Sequence, residues 1–475
     1  MGERSPATLI ATPITALLAR ARRYWYRGLA WGLAAEFWFF AVLAWLASGG
    51  RAPSLRAWAE RRRGGRAAAV ALFTAIVVAV VLVAELPFAV YIGYFRERAF
   101  GFATGTLRGW FADWGKSFGI EIVAVVIAAE ILYAILRRAA PPASRASWGP
   151  AFKVWIPCLV LMIVVVAIQP VFIAPLFDKF TPLPPGRLRD QLALMARQAG
   201  IPSDAIYVAD TSRRSLHTNA YVVGLLGTQR IVIYDTLLRA ETPAEVEFVV
   251  GHEIGHYVLH HLWKGIAFGV ALLLLFLWIA FRLFRRFAPR LGYRSLGDVA
   301  GLPLLALLLS VLFFLASPAV NGFSRRLERQ ADRYGLRVAP DPCAAVASFQ
   351  GDLSSDLIPP DPPHWIEWWF FTHPSGAERI AMAQAACAAH RPAGAKPTAG
   401  GDAYRPANIA TAAKRPPGPR QSRPSGAKRS AAERQAMPRV GRGRRLQGAG
   451  GIHQRIRSAP SSRERSPATL IAPPA

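Results

Sequence analysis

The chain predicts a mainly α-helical protein, a polytopic bundle of about six membrane spans joined to a smaller polar domain with a β-hairpin or small sheet. Three observations predict it. Hydrophobic residues make up 53% of the 475 residues, more than a soluble domain needs. They are gathered into six runs of bilayer-crossing length. One long polar segment, 177–263, interrupts these runs and carries the strand signals.

The first 26 residues hold one short apolar stretch, Ala7–Leu18, without a small-residue cleavage site, and read as an amphipathic lead-in. Four spans follow in an N-terminal membrane domain over 27–175: Leu29–Ala47, Ala67–Tyr91, Gly119–Leu136 and Val154–Ala174. Each approaches the ~20 residues that cross ~30 Å of hydrocarbon. Glu36, Glu85, Glu121 and Glu130 lie within them. A carboxylate at that depth is costly in lipid, so these four are expected to face protein or a watery cavity.

A second domain is expected over 176–390, with two further spans at 265–283 and 300–320. Its polar part opens on the turn-rich FTPLPPG and a helix over Arg187–Gly200. Strands are predicted at Ala205–Ala209, Ala220–Val223 and Ile231–Tyr234, with Gly224 and Gly227 turning the last two into a hairpin. Thr242-Pro243-Ala244-Glu245 then starts a helix, with Thr as N-cap, Pro in the first turn and Glu at its third position. Another helix is predicted at Ser324–Val338, and mixed helix and loop over Glu367–Ala389.

From Arg391 the chain is rich in Pro, Gly, Ala and Arg, with eighteen Lys and Arg against three acids. A segment so poor in large apolar residues predicts a disordered basic tail. More than half of the net charge of +28 therefore sits there, and most of the rest flanks the spans. Its single aromatic, Tyr404, offers no base-stacking surface, so nucleic acid is not an expected partner, although the tail could contact anionic surfaces. ERSPATLIA occurs at 3–11 and again at 464–472, and no function is assigned to it. Cys158, Cys343 and Cys387 are far apart and form no CxxC, so no disulfide framework is expected.

Chemistry concentrates at Gly251-His252-Glu253-Ile254-Gly255-His256. On a helix, His252 and His256 stand one turn apart on one face and can share one Zn²⁺. Glu253, about 100° around the axis, can take a proton from the attacking water and hand it to the leaving amine. A structural histidine pair is the bland alternative, but the apolar flanks suit a buried site. Catalytic zinc needs a third protein ligand. A metzincin ligand at 262 is ruled out because 259 and 262 are both Leu. His260 is two turns beyond His252 on the same helix, over ~10 Å away and out of reach of a shared ion, and it and His261 read as decoys. Glu328 is the better candidate, with Asp332 one turn on to hold a ligand histidine by hydrogen bond. Four arginines around them also fit a solvated charged face. Two spans separate His256 from Glu328, which returns both to one side of the bilayer.

With these motifs in view, the sequence resembles the integral-membrane zinc CAAX prenyl endopeptidases of type I, a gluzincin group. The resemblance rests on IAPLFDKFTPLP, HTNAYVVGLLGTQRIVIYDTLL, TPAEVEFVVGHEIGHYVLHH, SRRLERQAD, THPSGAERI and, in the membrane half, FGFATGTLRGWFADWGK. It implies a gluzincin-like zinc protease domain with one Zn²⁺ held by His252, His256 and Glu328. Glu253 would be general base and Asp332 would support a ligand. His373 and Arg379 would stabilise the oxyanion. Asn219 and Ala220 would lie on an edge strand that pairs with extended substrate. Partners would be a peptide or protein, lipidated or not, and the lipid bilayer.

Six spans are found where eukaryotic members have seven, and the basic tail has no counterpart in the family. Arginine and alanine usage suggests a bacterial inner membrane. The resemblance turns the active site toward the cytoplasm, against the strongly basic stretches 51–66, 137–153 and 285–294 on the opposite side. An HtpX-like quality-control protease and a non-catalytic zinc-binding scaffold are the alternatives; the first lacks the four-span N-terminal half, and the second has no use for Glu253.

Overall fold

The computed structural model describes residues 6–62, 64–138, 148–202, 204–225 and 227–390. The expected tail, the second ERSPATLIA copy and part of the 137–153 loop lie outside them. Helix α1 (Pro6–Ala47) runs from the lead-in through the first span. The helix is continuous past Gly28 and Gly32, so the lead-in and the first span share one element. Helix α2 (Arg51–Glu60) crosses the short connection to α3 (Gly65–Val90). A π-helical segment Tyr91–Arg96 and the short α4 (Glu97–Ala99) follow, then α5 (Leu107–Arg138) and α6 (Gly149–Ile168). Among the described residues, six helices, two of them beyond the polar segment, are long and apolar enough to cross a membrane.

The polar segment builds a four-stranded sheet from β1 (Phe180–Pro182), β2 (Ile206–Ala209), β3 (Ala220–Val223) and β4 (Arg230–Tyr234), in the order β1-β2-β4-β3. β3 and β4 form the expected antiparallel hairpin, with Ala220 opposite Ile233 and Val223 opposite Arg230. Gly224, at φ +115°, lies so near the Thr228 carbonyl that a Cβ would sit 2.2 Å from it, so only glycine fits that turn. β1, too short for alternation to reveal, is stabilised by pairing with β2. Helices α7 (Arg187–Gln198) and α8 (Asp235–Ala240) flank the sheet. Leu192, Ile206, Ile231, Ile233, Val246, Val250 and Ile254 bury their side chains in the core beneath it.

α9 (Pro243–Val258) leads to α10 (His261–Phe287), and α11 (Leu302–Val338) returns across the membrane. The helix expected at 324–338 is the end of α11, which runs on through Pro318 and Gly322 where α9 and α13 pack against it. α12 (Ala344–Ser355), α13 (His364–Phe370) and α14 (Gly376–His390) complete the chain. Cys343 and Cys387 form a disulfide joining the residue before α12 to α14. This corrects the expectation of no disulfide, because packing of α12 on α14 closes a 44-residue gap that spacing could not reveal. At the far end of the bundle, buried Asp298 pairs with Arg56 of α2 and accepts the backbone N–H of Arg294 (2.8 Å) and Ala300 (3.1 Å). One carboxylate thus ties α2 to the turn before α11.

Candidate metal centre and active site

The site is made by the packing of α9 on α11. α9 starts in a complete capping box: Thr242 Oγ1 accepts from Glu245 N (3.4 Å) and Glu245 Oε2 accepts from Thr242 N (2.8 Å). Val246, Val250 and Ile254, four residues apart, pack into the sheet core. Another face, with Gly251, His252 and Gly255, meets α11. Glycines allow the close approach: a Cβ on Gly335 would stand 2.9 Å from His252 N and 3.1 Å from its Cα. Glu328, Asp332 and Gly335 recur at helical spacing on the facing side of α11 and are buried or lack a side chain.

His252 Nε2 lies 3.1 Å from His256 Nε2 and 3.4 Å from Glu328 Oε2; His256 Nε2 is 3.6 Å from Glu328 Oε1. Donors ~2.0–2.1 Å from a tetrahedral ion stand ~3.3 Å apart. The three groups match that triangle, and all their donor atoms fall within 4.8 Å of one another. Asp332 Oδ1 sits 2.8 Å from His252 Nδ1, the ring nitrogen turned away from the triangle. Burial opposes a charge on His252, but hydrogen bonds with Asp332 and Glu328 outweigh it and raise the imidazole to about 10. The pocket therefore favours positive charge. Glu253 Oε1 is 3.9 Å from His252 Nε2, and burial is the main reason its carboxyl rises above the usual range.

His260 takes a left-handed conformation (φ 56°) and ends the catalytic helix; it does not ride two turns up it, as continued helix would require. The reversal returns buried His261 to the site, with Nδ1 3.0 Å from His256 Nδ1 and Nε2 3.2 Å from Gln330 Oε1. Sequence reading dismissed His261; its signal was adjacency to the motif, unreadable without the break.

The remaining candidates divide. His373 Nε2 lies 3.2 Å from Glu328 Oε2 while half of its side chain stays exposed, at the mouth of the site. Arg379 grips Asp332 with two bonds, Nε–Oδ2 at 3.1 Å and Nη2–Oδ1 at 2.7 Å, and lies over Phe349. Two of its donors thus hold the carboxylate behind His252, while the side chain also lines the cleft. Asn219 and Ala220 border the free edge of the sheet, since β3 pairs on one side only. They line a cleft of about 580 Å³ together with His252, Glu253, His373 and Tyr24 of α1.

His217, two residues before Asn219, is a feature no local spacing reveals. Its Nε2 is 2.9 Å from Glu97 Oε2, its Nδ1 2.6 Å from Asp356 Oδ1, and its ring stacks on Phe102 at 4.2 Å. Tyr24 OH donates to Glu97 Oε1 at 3.0 Å. Burial would lower the His217 pKa, but the two carboxylates raise it to about 9.

A family model described as peptidase family M48 matches residues 182–386, and one described as the CAAX prenyl protease N-terminal region with five membrane helices matches residues 3–179. A metalloprotease of Bacillus subtilis, YhfN, is 31% identical over 352 residues, 73% of this chain and 80% of that protein. The chain belongs to peptidase family M48. Within M48 it is also similar to CAAX prenyl protease 1 of Saccharomyces cerevisiae, 30% identical over 62% of this chain and 68% of that one. The crystal structure of S. mikatae Ste24p superposes with a TM-score of 0.58 at 28% identity, covering 69% of this chain and 79% of its own. This M48 chain is therefore an integral membrane metallopeptidase acting on peptide bonds. Where the N-terminal family description has five membrane helices, four helices among the described residues of that region are long and apolar enough to span.

Proposed function

We propose that this M48 chain is a zinc-dependent endopeptidase that cuts a membrane-attached protein, lipidated or not, close to its attachment point. The observation that carries this reading is the tetrahedral spacing of the His252, His256 and Glu328 donors with Glu253 beside them. Two imidazoles and one carboxylate suit Zn²⁺ and leave one position open. A bound zinc ion would polarise the scissile carbonyl and make water acidic enough to attack near neutral pH.

The other steps belong to the chain's own residues. Extended substrate would add a strand to β3 at Asn219–Ala220, setting the scissile bond over Glu253. Glu253 would take the proton of the attacking water and return it to the leaving amine; burial, by raising its pKa, suits both roles. His373, half-exposed at the mouth, would donate to the developing oxyanion. Arg379 would act one step back by holding Asp332, which in turn orients His252.

For location, we place the chain in a bacterial inner membrane, with an N-terminal membrane domain over 27–175 and a catalytic domain over 176–390. Family resemblance supports a cytosolic catalytic face. The basic stretches 51–66 and 285–294 on the far side support the opposite face, as does a disulfide within the catalytic domain, and we adopt that opposite face.

The test is cleavage of a quenched peptide by purified protein in nanodiscs, with matched lipidated and plain substrates. Wild-type protein is expected to cleave, and chelator should abolish cleavage until zinc is restored. Glu253→Gln should lose ~10²–10⁴-fold in kcat while keeping its zinc. Cleavage that survives Glu253→Gln, or a purified chain without zinc, would overturn the reading.

A further inference from the structure

α13 carries the sequence His364-Trp365-Ile366-Glu367-Trp368-Trp369-Phe370, and its two faces differ. Ile366 is 4% exposed, whereas Trp365 and Trp368, three residues apart on one face, are 63% and 55% exposed. Two bare indoles side by side on a short helix call for an apolar covering.

The depth of α13 along the bundle is fixed by its contacts with α11. Trp369 packs against Phe314, inside the apolar run of the last span, at 5.7 Å. Asn321 Nδ2 donates to the Trp369 carbonyl at 2.5 Å. One turn further, buried Arg325 Nη1 donates to the carbonyls of Glu367 (2.8 Å) and Phe371 (2.5 Å), and Nη2 to that of Trp368 (3.5 Å). These bonds serve the carbonyls of Trp368, Trp369 and Phe371 where α13 ends, and that of Glu367, which also accepts the Phe371 N–H. From Phe314 to Arg325 the α11 axis advances ~16 Å at ~1.5 Å per residue. In that distance α11 passes from lipid-facing residues such as Leu315, itself 59% exposed, to charged ones. α13 is thus pinned across the boundary between apolar span and polar domain. Indoles are favoured at that level of a bilayer, ring toward the acyl chains and N–H toward the headgroups.

The same helix leads into the active site. Phe371, directly after α13, packs on Trp25 of α1 at 4.9 Å, and Phe370 to His373 line the cleft. We infer that Trp365 and Trp368 seat α13 in the headgroup–acyl boundary of the bilayer and so hold the lip of the cleft at the membrane surface. The occupant of this face is phospholipid, argued from its continuity with the lipid-facing belt of α11. A peptide attached to the membrane would meet the cleft within a few residues of its anchor, whereas a freely dissolved peptide would gain nothing from the two indoles.

The seating itself does not depend on the proposed peptidase activity, so its test is separate from catalysis. The full chain, with Cys158→Ser, is reconstituted in nanodiscs and carries one nitroxide at a time at Trp365→Cys or Trp368→Cys. Leu315→Cys serves as the lipid reference and Arg197→Cys as the aqueous one. Labels at 365 and 368 are expected to collide with lipid-dissolved oxygen and to be shielded from a water-soluble nickel chelate, as at 315. Accessibility to nickel equal to that at 197 would overturn the seating. The consequence for substrate rests on the proposed function and is tested with Trp365→Asp/Trp368→Asp against Trp365→Tyr/Trp368→Tyr. The Asp pair should lose about tenfold in kcat/KM on a vesicle-anchored peptide and keep its rate on a soluble one, and the Tyr pair should retain both. Equal loss on both peptides, or no loss on either, would overturn the role of the lip.

Discussion

At the scale of single residues, the two histidines of the proposed metal site have different supports. His252 leans on Asp332, a carboxylate that Arg379 holds from behind. His256 leans on a neutral chain: on the proposed zinc site its Nε2 would hold the metal and its Nδ1 the proton, so that His261 Nδ1 would accept and His261 Nε2 would donate to Gln330 Oε1. We therefore expect His261→Ala to weaken zinc binding about 10–100-fold, read by competition with a fluorescent chelator. His261→Asn, whose amide oxygen can accept in place of Nδ1, should recover most of that affinity; equal loss in both variants would mean that packing, not the acceptor, matters. His217 gives a pH signature. Its pKa is raised to about 9 by Asp356 and Glu97 against the cost of burial. The ion pairs are thus complete below the unfolded-state pKa of ~6.5 and their stabilisation is lost as pH rises through about 9. Thermal unfolding midpoints should fall across that window in wild type, and this slope should be absent in His217→Gln.

At the scale of elements, the metal triangle depends on two helices lying unusually close. Gly335→Ala would push a methyl group into the backbone of His252, an obstruction no side-chain rotation relieves. Overpacking of this kind costs about 1–3 kcal/mol. The variant is expected to unfold at lower temperature and to gain less from added zinc than wild type in the same scan. An unchanged midpoint with unchanged zinc response would show that the helices can separate freely. The break at His260 belongs to this scale too, because a single left-handed residue converts a long helix into two and returns His261 to the site.

For the molecule as a whole, orientation is the open consequence of the architecture. Loops opposite the metal centre carry Arg51, Arg56, Arg61 and Arg62 at one turn and Arg285, Arg286, Arg290 and Arg294 at another. Such short basic loops are retained in the cytoplasm, and the Cys343–Cys387 bond suits an oxidising compartment. A fluorescent protein inserted beside Arg290 should therefore be bright in cells, and alkaline phosphatase at the same place should be inactive. The reverse pattern would restore the cytosolic catalytic face.

The sequence by itself determined the six spans, the hairpin of β3 and β4, the cap at Thr242 and the three residues proposed as donors. Each depends on local periodicity, on turn chemistry or on the rule that an even number of spans returns a chain to one side. Only the tertiary structure decided what surrounds those donors. His261 approaches His256 after a helix break that no spacing announces; Arg379 grips Asp332 at the wall of the cleft. The Cys343–Cys387 bond and the His217 cluster join residues 44 to 139 positions apart. The physical reason is common to all four: helix periodicity fixes which residues share a face, whereas close packing between distant elements fixes which faces meet.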